Sequence, residues 1–261
     1  MRVVNLASGS KGNCTLIEND EAIILIDCGI SVREALKRIS LVGADKNKIK
    51  AIFVTHTHTD HISGVGDLSK KLGLKVFATK ENYLEGKLKV EAVYQNIIVP
   101  NQKVNFCGFE LTPFVLSHDA VSTVGYLICA DGRKVAIATD TGEVTIDMYK
   151  NLCGVDLALL ESNHDEQMLL MGKYPPALKK RVHSKLGHLS NVQCSELIVK
   201  LIDLGTKHFM LMHLSENNNT PELAYSTAVS YIEYYYGDAL SANVYLSHQD
   251  KPSKNFILKK M

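Results

Sequence analysis

The chain has 261 residues, of which 46% are hydrophobic and 22% are charged, and its formal net charge is +1. This length can bury a sizeable core, the composition is that of a globular protein, and the balanced charge excludes a globally basic or acidic surface. No apolar run approaches the roughly 18 residues of a membrane span, and the amino terminus lacks the long apolar segment of a signal peptide. With scattered cysteines that form no Cys-x-x-Cys pair, these features predict a cytoplasmic protein without membrane attachment.

In the first third of the chain, the hydrophobic pattern predicts strands that alternate with helices. The predicted strands are Val3–Leu6, Thr15–Glu18, Ala22–Asp27 and Ala51–Thr55. The predicted helices are Val32–Ile39, with Ser31 as its N-cap, and Ile62–Leu72, which Gly73 ends.

The middle of the chain is richer in strands, and the last third returns to alternation. The middle strands are predicted at Val76–Ala78, Val104–Phe106, Phe109–Leu116, Thr123–Cys129 and Lys134–Thr139, with an Asp131-Gly132 hairpin turn. Later strands are predicted at Asp156–Leu160, Phe209–Met212 and, last, Asn243–Leu246, with helices at Asn191–Leu204 and Pro221–Tyr235. Two strand-rich halves with helices on their outer sides predict an α/β four-layer αββα sandwich. We expect one domain over residues 1–261, with its site along one sheet edge.

Residues 55–61 read Thr-His-Thr-His-Thr-Asp-His and directly follow an apolar run that is typical of a buried strand. His56 and His58 are two apart, so their side chains project to the same side while the backbone stays extended. A turn after this stretch would then direct the side chains of Asp60 and His61 to a point near those of His56 and His58. Neutral imidazole and carboxylate are ligands that suit zinc, manganese, iron or nickel. The pattern therefore predicts a metal site.

Three further residues of ligand type, His118, Asp140 and His213, each follow an apolar strand. A rigid sheet holds such residues in the tight geometry that a metal site needs. Taken singly, His118 has the alternative of a loop histidine, and Asp140 has that of a cap for a helix at Gly142–Tyr149. The recurrence of one pattern after the histidine loop favours metal ligands at all three positions.

The order of these residues, His-x-His-x-Asp-His followed by an isolated His, Asp and His, resembles the signature of the metallo-β-lactamase fold. The resemblance implies one metal ion on His56, His58 and His118, a second on Asp60, His61 and His213, and Asp140 as a bridge. It thus implies two divalent ions, such as zinc, manganese or another transition metal, with Asp60 also essential for catalysis. Paired ions of this kind hold a hydroxide at neutral pH and support an in-line displacement at phosphorus or an addition at a carbonyl.

Four longer motifs resemble the bacterial YycJ/WalJ branch of this fold: Ser8–Asn13, Glu161–Asp165, Gly187–Asn191 and His213–Asn218. Members of that branch are regarded as 5′→3′ DNA exonucleases. The resemblance therefore implies a dinuclear phosphodiesterase that acts on DNA through a metal-bound hydroxide. A metal-dependent thioester or lactone hydrolase of the same fold is the alternative, and it would have an acyl-binding pocket.

The Ser8–Asn13 motif is a glycine-rich turn after a strand, and its backbone N–H groups and lysine suit a phosphate. Ser10, Lys11 and Asn13 are therefore candidate substrate-binding residues. Glycine-rich turns are common, so the turn alone is weak evidence.

A basic strip precedes the Gly187–Asn191 motif. Residues Lys173–Pro176 and Lys179–Lys185 supply five cations and a tyrosine. A cationic groove with an aromatic platform suits the end of a DNA strand, while a solvated basic helix face is the alternative. We expect a DNA end as the partner, and the sequence gives no oligomeric state.

His188 and His164 are candidates outside the predicted ligand set. In phosphodiesterase relatives, a histidine from the region of His188 contacts the phosphate or protonates the leaving group, which an imidazole that titrates near neutrality suits. His188 is thus a candidate catalytic and substrate-binding residue, with a structural histidine bonded to a backbone carbonyl as the alternative. His164 is a candidate substrate-binding residue that either lines the site or packs beside it.

Overall fold

Two seven-stranded β-sheets form the centre of the molecule in a computed structural model, which describes residues 1–237 and 242–259. The first sheet contains β1 (Arg2–Ala7), β2 (Cys14–Glu18), β3 (Ile23–Ile26), β4 (Ile49–Phe53), β5 (Lys75–Thr79), β6 (Gln95–Ile98) and β14 (Phe256–Ile257). The second contains β7 (Val104–Phe106), β8 (Phe109–Val115), β9 (Val124–Ala130), β10 (Arg133–Ala138), β11 (Leu157–Glu161), β12 (His208–Met212) and β13 (Asn243–Leu246).

Each sheet joins an antiparallel half to a parallel half. The first has the order β14-β1-β2-β3-β4-β5-β6 and is parallel from β3 to β6. The second has the order β13-β12-β11-β10-β9-β8-β7 and is parallel from β10 to β13. Parallel neighbours end at the same edge of a sheet, so the loops after these strands can share one site.

The helices are α1 (Val32–Leu41), α2 (Thr59–Ile62), α3 (Val65–Leu72), α4 (Lys80–Leu84), α5 (Ile146–Leu152), α6 (Glu166–Met171), α7 (Pro176–Val182), α8 (Asn191–Asp203) and α9 (Pro221–Tyr236). Several begin at a side-chain cap, and Ser190 and Gln193 form a capping box at the start of α8. Within the two described ranges, no helix has both the length and the hydrophobicity of a membrane span.

Alternating side chains along the strands build three apolar layers. Val3 belongs to the layer between the sheets, where the rings of Phe53 and Tyr126 lie with centroids 5.8 Å apart. Its neighbour Val4 belongs to the layer between the first sheet and helices α1 and α3. A third layer lies between the second sheet and α5, α8 and α9. The predicted αββα sandwich is confirmed.

Two predicted elements differ from the structure. The helix predicted at Ile62–Leu72 is wrong as a single element, because the chain turns at Gly64 between α2 and α3. The Gly64 N–H donates to the carbonyl of Cys28 (2.8 Å), and a Cβ on Gly64 would lie 2.2 Å from the carbonyl oxygen of Ile30. The prediction that Asn243–Leu246 is the last strand is also wrong, since β14 follows and pairs with β1.

Candidate metal centre

The predicted ligands lie together at one edge of the sandwich, where strands of both sheets end. The loop after β4 and the following helix α2 carry His56, His58, Asp60 and His61. The loops after β8, β10 and β12 carry His118, Asp140 and His213. Both sheets therefore contribute to one cluster.

In the part of the chain that the structure describes, four sets of donor atoms in and around this cluster have the spacing of metal ligands, and two of them are the sets predicted from the sequence. One predicted set is His56, His58 and His118 and the other is Asp60, His61 and His213, and within each set the donor atoms lie within 4.8 Å of one another. The other two sets are His56, His61 and Asp140, and Asp140, Glu161, His188 and His213. Asp140 lies between the two predicted sets, because its Oδ2 is 3.1 Å from Nε2 of His61 and its Oδ1 is 3.8 Å from Nε2 of His118. This position suits a carboxylate that bridges two ions.

A contact at Nδ1 orients four of the five histidine rings. The partners are the Thr55 hydroxyl for His56 (3.0 Å), Asp27 Oδ2 for His61 (2.7 Å), the Gly187 carbonyl for His118 (3.0 Å) and Glu161 Oε1 for His213 (2.8 Å). Nδ1 then carries the hydrogen, which leaves Nε2 as the ligand atom. His58 is reversed, and its Nδ1 lies 3.2 Å from Nε2 of His118.

The buried atoms of the cluster fit bound metal ions. Among the described residues, Nε2 of His56, Nε2 of His213 and Oδ2 of Asp140 are buried without a hydrogen-bond partner. Such orphaned atoms cost roughly 1–3 kcal/mol each, and coordination would remove that cost. Burial lowers the pKa of His56 well below its usual value, which keeps the ring neutral as a ligand must be.

The carboxylate between the two sets is ionised. Burial raises the pKa of Asp140, but the charges of His213 and His61 outweigh burial and hold this pKa well below its usual value. Burial likewise lowers the pKa of His61, but Asp140 and Asp27 outweigh it and raise that pKa to about 10. The buried carboxylates thus attract positive charge, and protons and metal ions compete for the same place.

Three residues of the site adopt the left-handed backbone conformation. The φ angle is 58° at Asp27, 60° at Asp140 and 55° at His213. This conformation costs a non-glycine residue roughly 1–2 kcal/mol and tends to occur at functional sites. Each residue closely follows a strand, so the turn brings its side chain to the cluster.

Glu161 connects the cluster to His188. Its Oε1 lies 2.8 Å from Nδ1 of His188 and 2.8 Å from Nδ1 of His213. Its Oε2 accepts from the backbone N–H groups of Thr141 (2.9 Å) and Leu189 (3.2 Å). Burial raises the pKa of Glu161, but its histidine partners outweigh burial and lower this pKa to about 2.

His188 lines the cavity that opens onto the cluster. This cavity has a volume of about 220 Å³, and Ser10, Tyr174, Arg181 and His188 line it beside the metal ligands. Burial lowers the pKa of His188, but the charge of Glu161 outweighs burial, so this pKa lies above its usual value. Because Glu161 holds Nδ1, Nε2 is the nitrogen available to a substrate.

The family follows from comparison with known proteins. The sequence profile described as "Beta-lactamase superfamily domain" matches residues 23–214, a range that contains the cluster, Glu161 and His188. The chain belongs to the beta-lactamase superfamily. The metallo-β-lactamase resemblance inferred from the histidine loop is thus confirmed.

Relatives within the superfamily match most of the chain. "Exodeoxyribonuclease WalJ" of Streptococcus pneumoniae serotype 2 (strain D39) is 34% identical over 230 residues, which is 86% of each chain. "Exodeoxyribonuclease YycJ" of Bacillus anthracis is 36% identical over 224 residues, or 84% of each chain. The crystal structure of the metallo-β-lactamase fold protein YhfI from Bacillus subtilis matches with a TM-score of 0.73 at 15% identity, over 98% of this chain and 100% of that one. The last likeness establishes the fold.

The structure places the three candidate residues of the Ser8–Asn13 turn differently from one another. Ser10 is exposed and lines the metal cavity, and this position suits a residue that contacts substrate. Asn13 is buried, and its Nδ2 donates to Oδ2 of Asp60 (3.2 Å) and lies 3.0 Å from Nε2 of His61. Asn13 therefore positions ligands and lies too deep for direct contact with substrate.

Lys11 does not line the metal cavity. Its Nζ is 2.7 Å from Oε2 of Glu216, and it faces a neighbouring cavity of about 610 Å³. Ser215 lines both cavities, and four of the predicted metal ligands, His58, Asp60, Asp140 and His213, line the smaller one. Lys11 therefore lies beside the metal cavity and not in its wall, and its contact with a substrate phosphate stays a prediction.

His164 is completely buried behind the wall of the cavity. Neither ring nitrogen has a hydrogen-bond partner among the described residues, and the ring lies 6.1 Å from that of His183. Burial lowers the pKa of His164 to about 4, so the ring is neutral at physiological pH. Of its two predicted placements, packing beside the site agrees with the structure, and direct contact with substrate does not.

The basic strip divides between two surfaces. Arg181 lines the metal cavity, whereas Lys179 and Lys180 line a groove on the opposite face of α7. Nη2 of Arg181 donates to Oδ1 of Asp119 (3.1 Å), and Nε donates to Oδ2 of the same carboxylate. Of these three cations, Arg181 is the one that lines the metal cavity.

Residues beyond the predicted set also shape the site. Asp27 and Glu161 hold ligand histidines, and each stands at the end of an apolar strand, as the predicted ligands do. Gly29 packs beneath the histidine loop, where a Cβ would lie 1.5 Å from the carbonyl oxygen of Asp60. The position of Asp27 and Glu161 at strand ends could have identified them from the sequence. The close contact of Gly29 with Asp60 has no such signal in the sequence.

Proposed function

We propose that this protein is a DNA exonuclease that uses two divalent metal ions, such as zinc or manganese, and degrades a strand from its 5′ end. The observation that carries the proposal is the similarity, over more than four-fifths of the chain, to two proteins named exodeoxyribonucleases. When bound, two ions would activate water and stabilise the charge that develops on the transferred phosphoryl group. The chain must supply a proton donor, a phosphate-binding group and space for one nucleotide.

His188 supplies the proton in this proposal. Its pKa lies above the usual value because Glu161 is ionised beside it, and this shift favours the protonated ring. Nδ1 remains bonded to Glu161, and the proton on Nε2 passes to the leaving oxygen. The buried position of Glu161 fixes the ring in one orientation through the whole reaction.

Arg181 binds the phosphate beside the metals. A guanidinium presents a planar pair of N–H donors that matches phosphate oxygens. Asp119 holds this group in place, and Asp119 itself follows the ligand His118, so the arginine is tied to the metal centre. Ser10 adds a hydroxyl on the cavity wall, and Tyr174 offers a ring on which a terminal base stacks.

The test is degradation of one DNA strand labelled at either end, with zinc or manganese supplied and with a chelator as the control. We expect mononucleotides released first from the 5′ end, and close to two metal ions per chain by elemental analysis. An acyl thioester assayed in parallel tests the alternative hydrolase. Thioester turnover that far exceeds turnover of every DNA end, with either metal, would refute the exonuclease proposal.

A further inference from the structure

The segment made of α6 and α7 (residues 166–182) has two faces, and only one of them belongs to the metal cavity. The cavity side carries Tyr174, Leu178, Arg181 and Val182. The outer side carries Leu169, Leu170, Pro176, Lys179 and Lys180, which line a groove of about 380 Å³ with Glu166 and His183. The segment is therefore a wall with the metal centre on one side and a second groove on the other.

The tip of this wall is apolar and exposed. Leu170 is 68% exposed and Met171 is 88% exposed, at the end of α6. Nζ of Lys179 donates to the carbonyl of Leu170 (2.6 Å), which ties the tip to α7. The two side chains form an exposed apolar patch beside the groove, and such a patch can serve as a contact surface.

The outer groove is positively charged. Lys179 and Lys180 lie in it, and its acidic residue, Glu166, accepts a hydrogen bond from the Ser190 hydroxyl (3.0 Å). A groove with two cations above an apolar floor is complementary to the sugar-phosphate backbone of a nucleic acid strand.

The metal cavity is too small for paired strands. Its volume of about 220 Å³ lies below the roughly 300–1,000 Å³ of pockets that enclose drug-sized ligands. If the substrate is a DNA duplex, the degraded strand must leave its complement before it reaches the metals. The α6–α7 wall lies between the metal cavity and the outer groove.

We propose that the α6–α7 wall separates the strands of a DNA duplex, with the complementary strand in the outer groove. Leu170 and Met171 stack on the last intact base pair, as apolar wedges do in other DNA-binding proteins. Lys179 and Lys180 neutralise phosphates of the complementary strand, while Arg181 holds the strand that is degraded. This inference rests on the proposed exonuclease activity, and it assigns the wall a role that matters only for paired DNA.

The experiment compares three DNA substrates: a blunt duplex, its degraded strand alone, and a fork with unpaired ends. In the double variant Leu170→Ser/Met171→Ser, we expect the initial rate on the blunt duplex to fall about tenfold, the factor that corresponds to one base-pair step at ~1.4 kcal/mol. Rates on the single strand and on the fork stay within about twofold of the parent protein. Lys179→Ala/Lys180→Ala gives the same selective loss and a weaker salt dependence on the duplex.

The control variant is Val93→Ser, because Val93 is 79% exposed in a short 3₁₀ helix of the first-sheet half. It should leave all three rates unchanged. Equal losses on single-stranded and duplex DNA, or no loss on the duplex, would overturn the wall proposal. If the parent protein degrades none of the three substrates, the exonuclease proposal itself fails, and this outcome is distinct from a selective result.

Discussion

His188 and His213 share one oxygen, because Nδ1 of each lies 2.8 Å from Oε1 of Glu161. His213 belongs to a predicted ligand set. His188 lines the cavity, and its donor atom also lies within 4.8 Å of donor atoms of Asp140, Glu161 and His213, although the sequence-derived ligand order does not include it. A single buried carboxylate therefore orients a metal ligand and the proposed proton donor together. Because both rings contact the same oxygen, movement of one ring would alter the electrostatic environment of the other.

This shared contact predicts different results for two substitutions. His188→Ala should lower kcat by roughly 10²–10⁴ with metal content unchanged, because only the proton donor is lost. Glu161→Gln should lower kcat and also weaken metal binding by roughly 10–100-fold, since His213 loses its orienting charge. Steady-state rates and metal titrations measure both effects. Loss of metal from His188→Ala would make His188 a ligand and contradict the assignment.

The contact of Asp27 with His61 predicts a loss of affinity without loss of fold. In Asp27→Asn, the amide no longer supplies the charge that fixes the hydrogen on Nδ1, so metal affinity should fall roughly 10–100-fold. Excess metal should restore most of the activity. The control is Asp67→Asn, an exposed carboxylate in the first turn of α3. Unchanged affinity in Asp27→Asn would show that the ring does not depend on this carboxylate.

The position of Arg181 predicts a loss on every phosphodiester. Arg181→Ala removes a charged hydrogen-bond donor worth roughly 1.5–3 kcal/mol, so kcat/KM should fall about 10- to 100-fold for DNA and for bis-p-nitrophenyl phosphate. Lys185 provides the matched control, because it is 82% exposed and its Nζ lies 3.3 Å from Glu143. A loss confined to DNA would place Arg181 on a remote part of the strand.

The buried ring of His164 predicts a pH-dependent stability. Burial lowers its pKa to about 4, whereas a histidine in the unfolded chain titrates near 6.5. Below about pH 6.5 only the unfolded chain binds this proton, so the free energy of unfolding falls until about pH 4, by on the order of 3 kcal/mol in total. In His164→Phe this part of the loss should disappear. Urea unfolding of both proteins at pH 7 and pH 5, with a chelator present, measures it, and identical pH dependence would contradict the prediction.

The sequence predicted the elements and ligands that depend on regular patterns. Apolar strands long enough to show a period of two residues were predicted, and the ligand-type residues that follow β8, β10 and β12 supplied three of the seven predicted ligands. Asp27 and Glu161 also stand at the ends of apolar strands, but neither belongs to the His-x-His-x-Asp-His, His, Asp, His order of the predicted ligands. The short helices α4, α6 and α7 were missed because five to seven residues do not establish a helical period.

Side-chain direction was the part that sequence reasoning could not supply. Lys11 lies in the expected turn, yet its contact with Glu216 turns it toward another cavity. Asn13 lies two residues further on and faces the predicted ligands, because its side-chain amide donates a hydrogen bond to the carboxylate of Asp60. Such differences depend on partners that are far away in sequence, as in the case of Asn13 and Asp60, which are 47 residues apart.

The two sheets each hold an incomplete part of the metal centre, with the histidine loop on the first and His118, Asp140 and His213 on the second. A chain in which the sheets have formed but not yet packed together would therefore bind metal weakly. Ions held by side chains from both sheets would then cross-link the two halves. Metal supply in the cell would in this way govern how long the finished protein survives proteolysis as well as how fast it works.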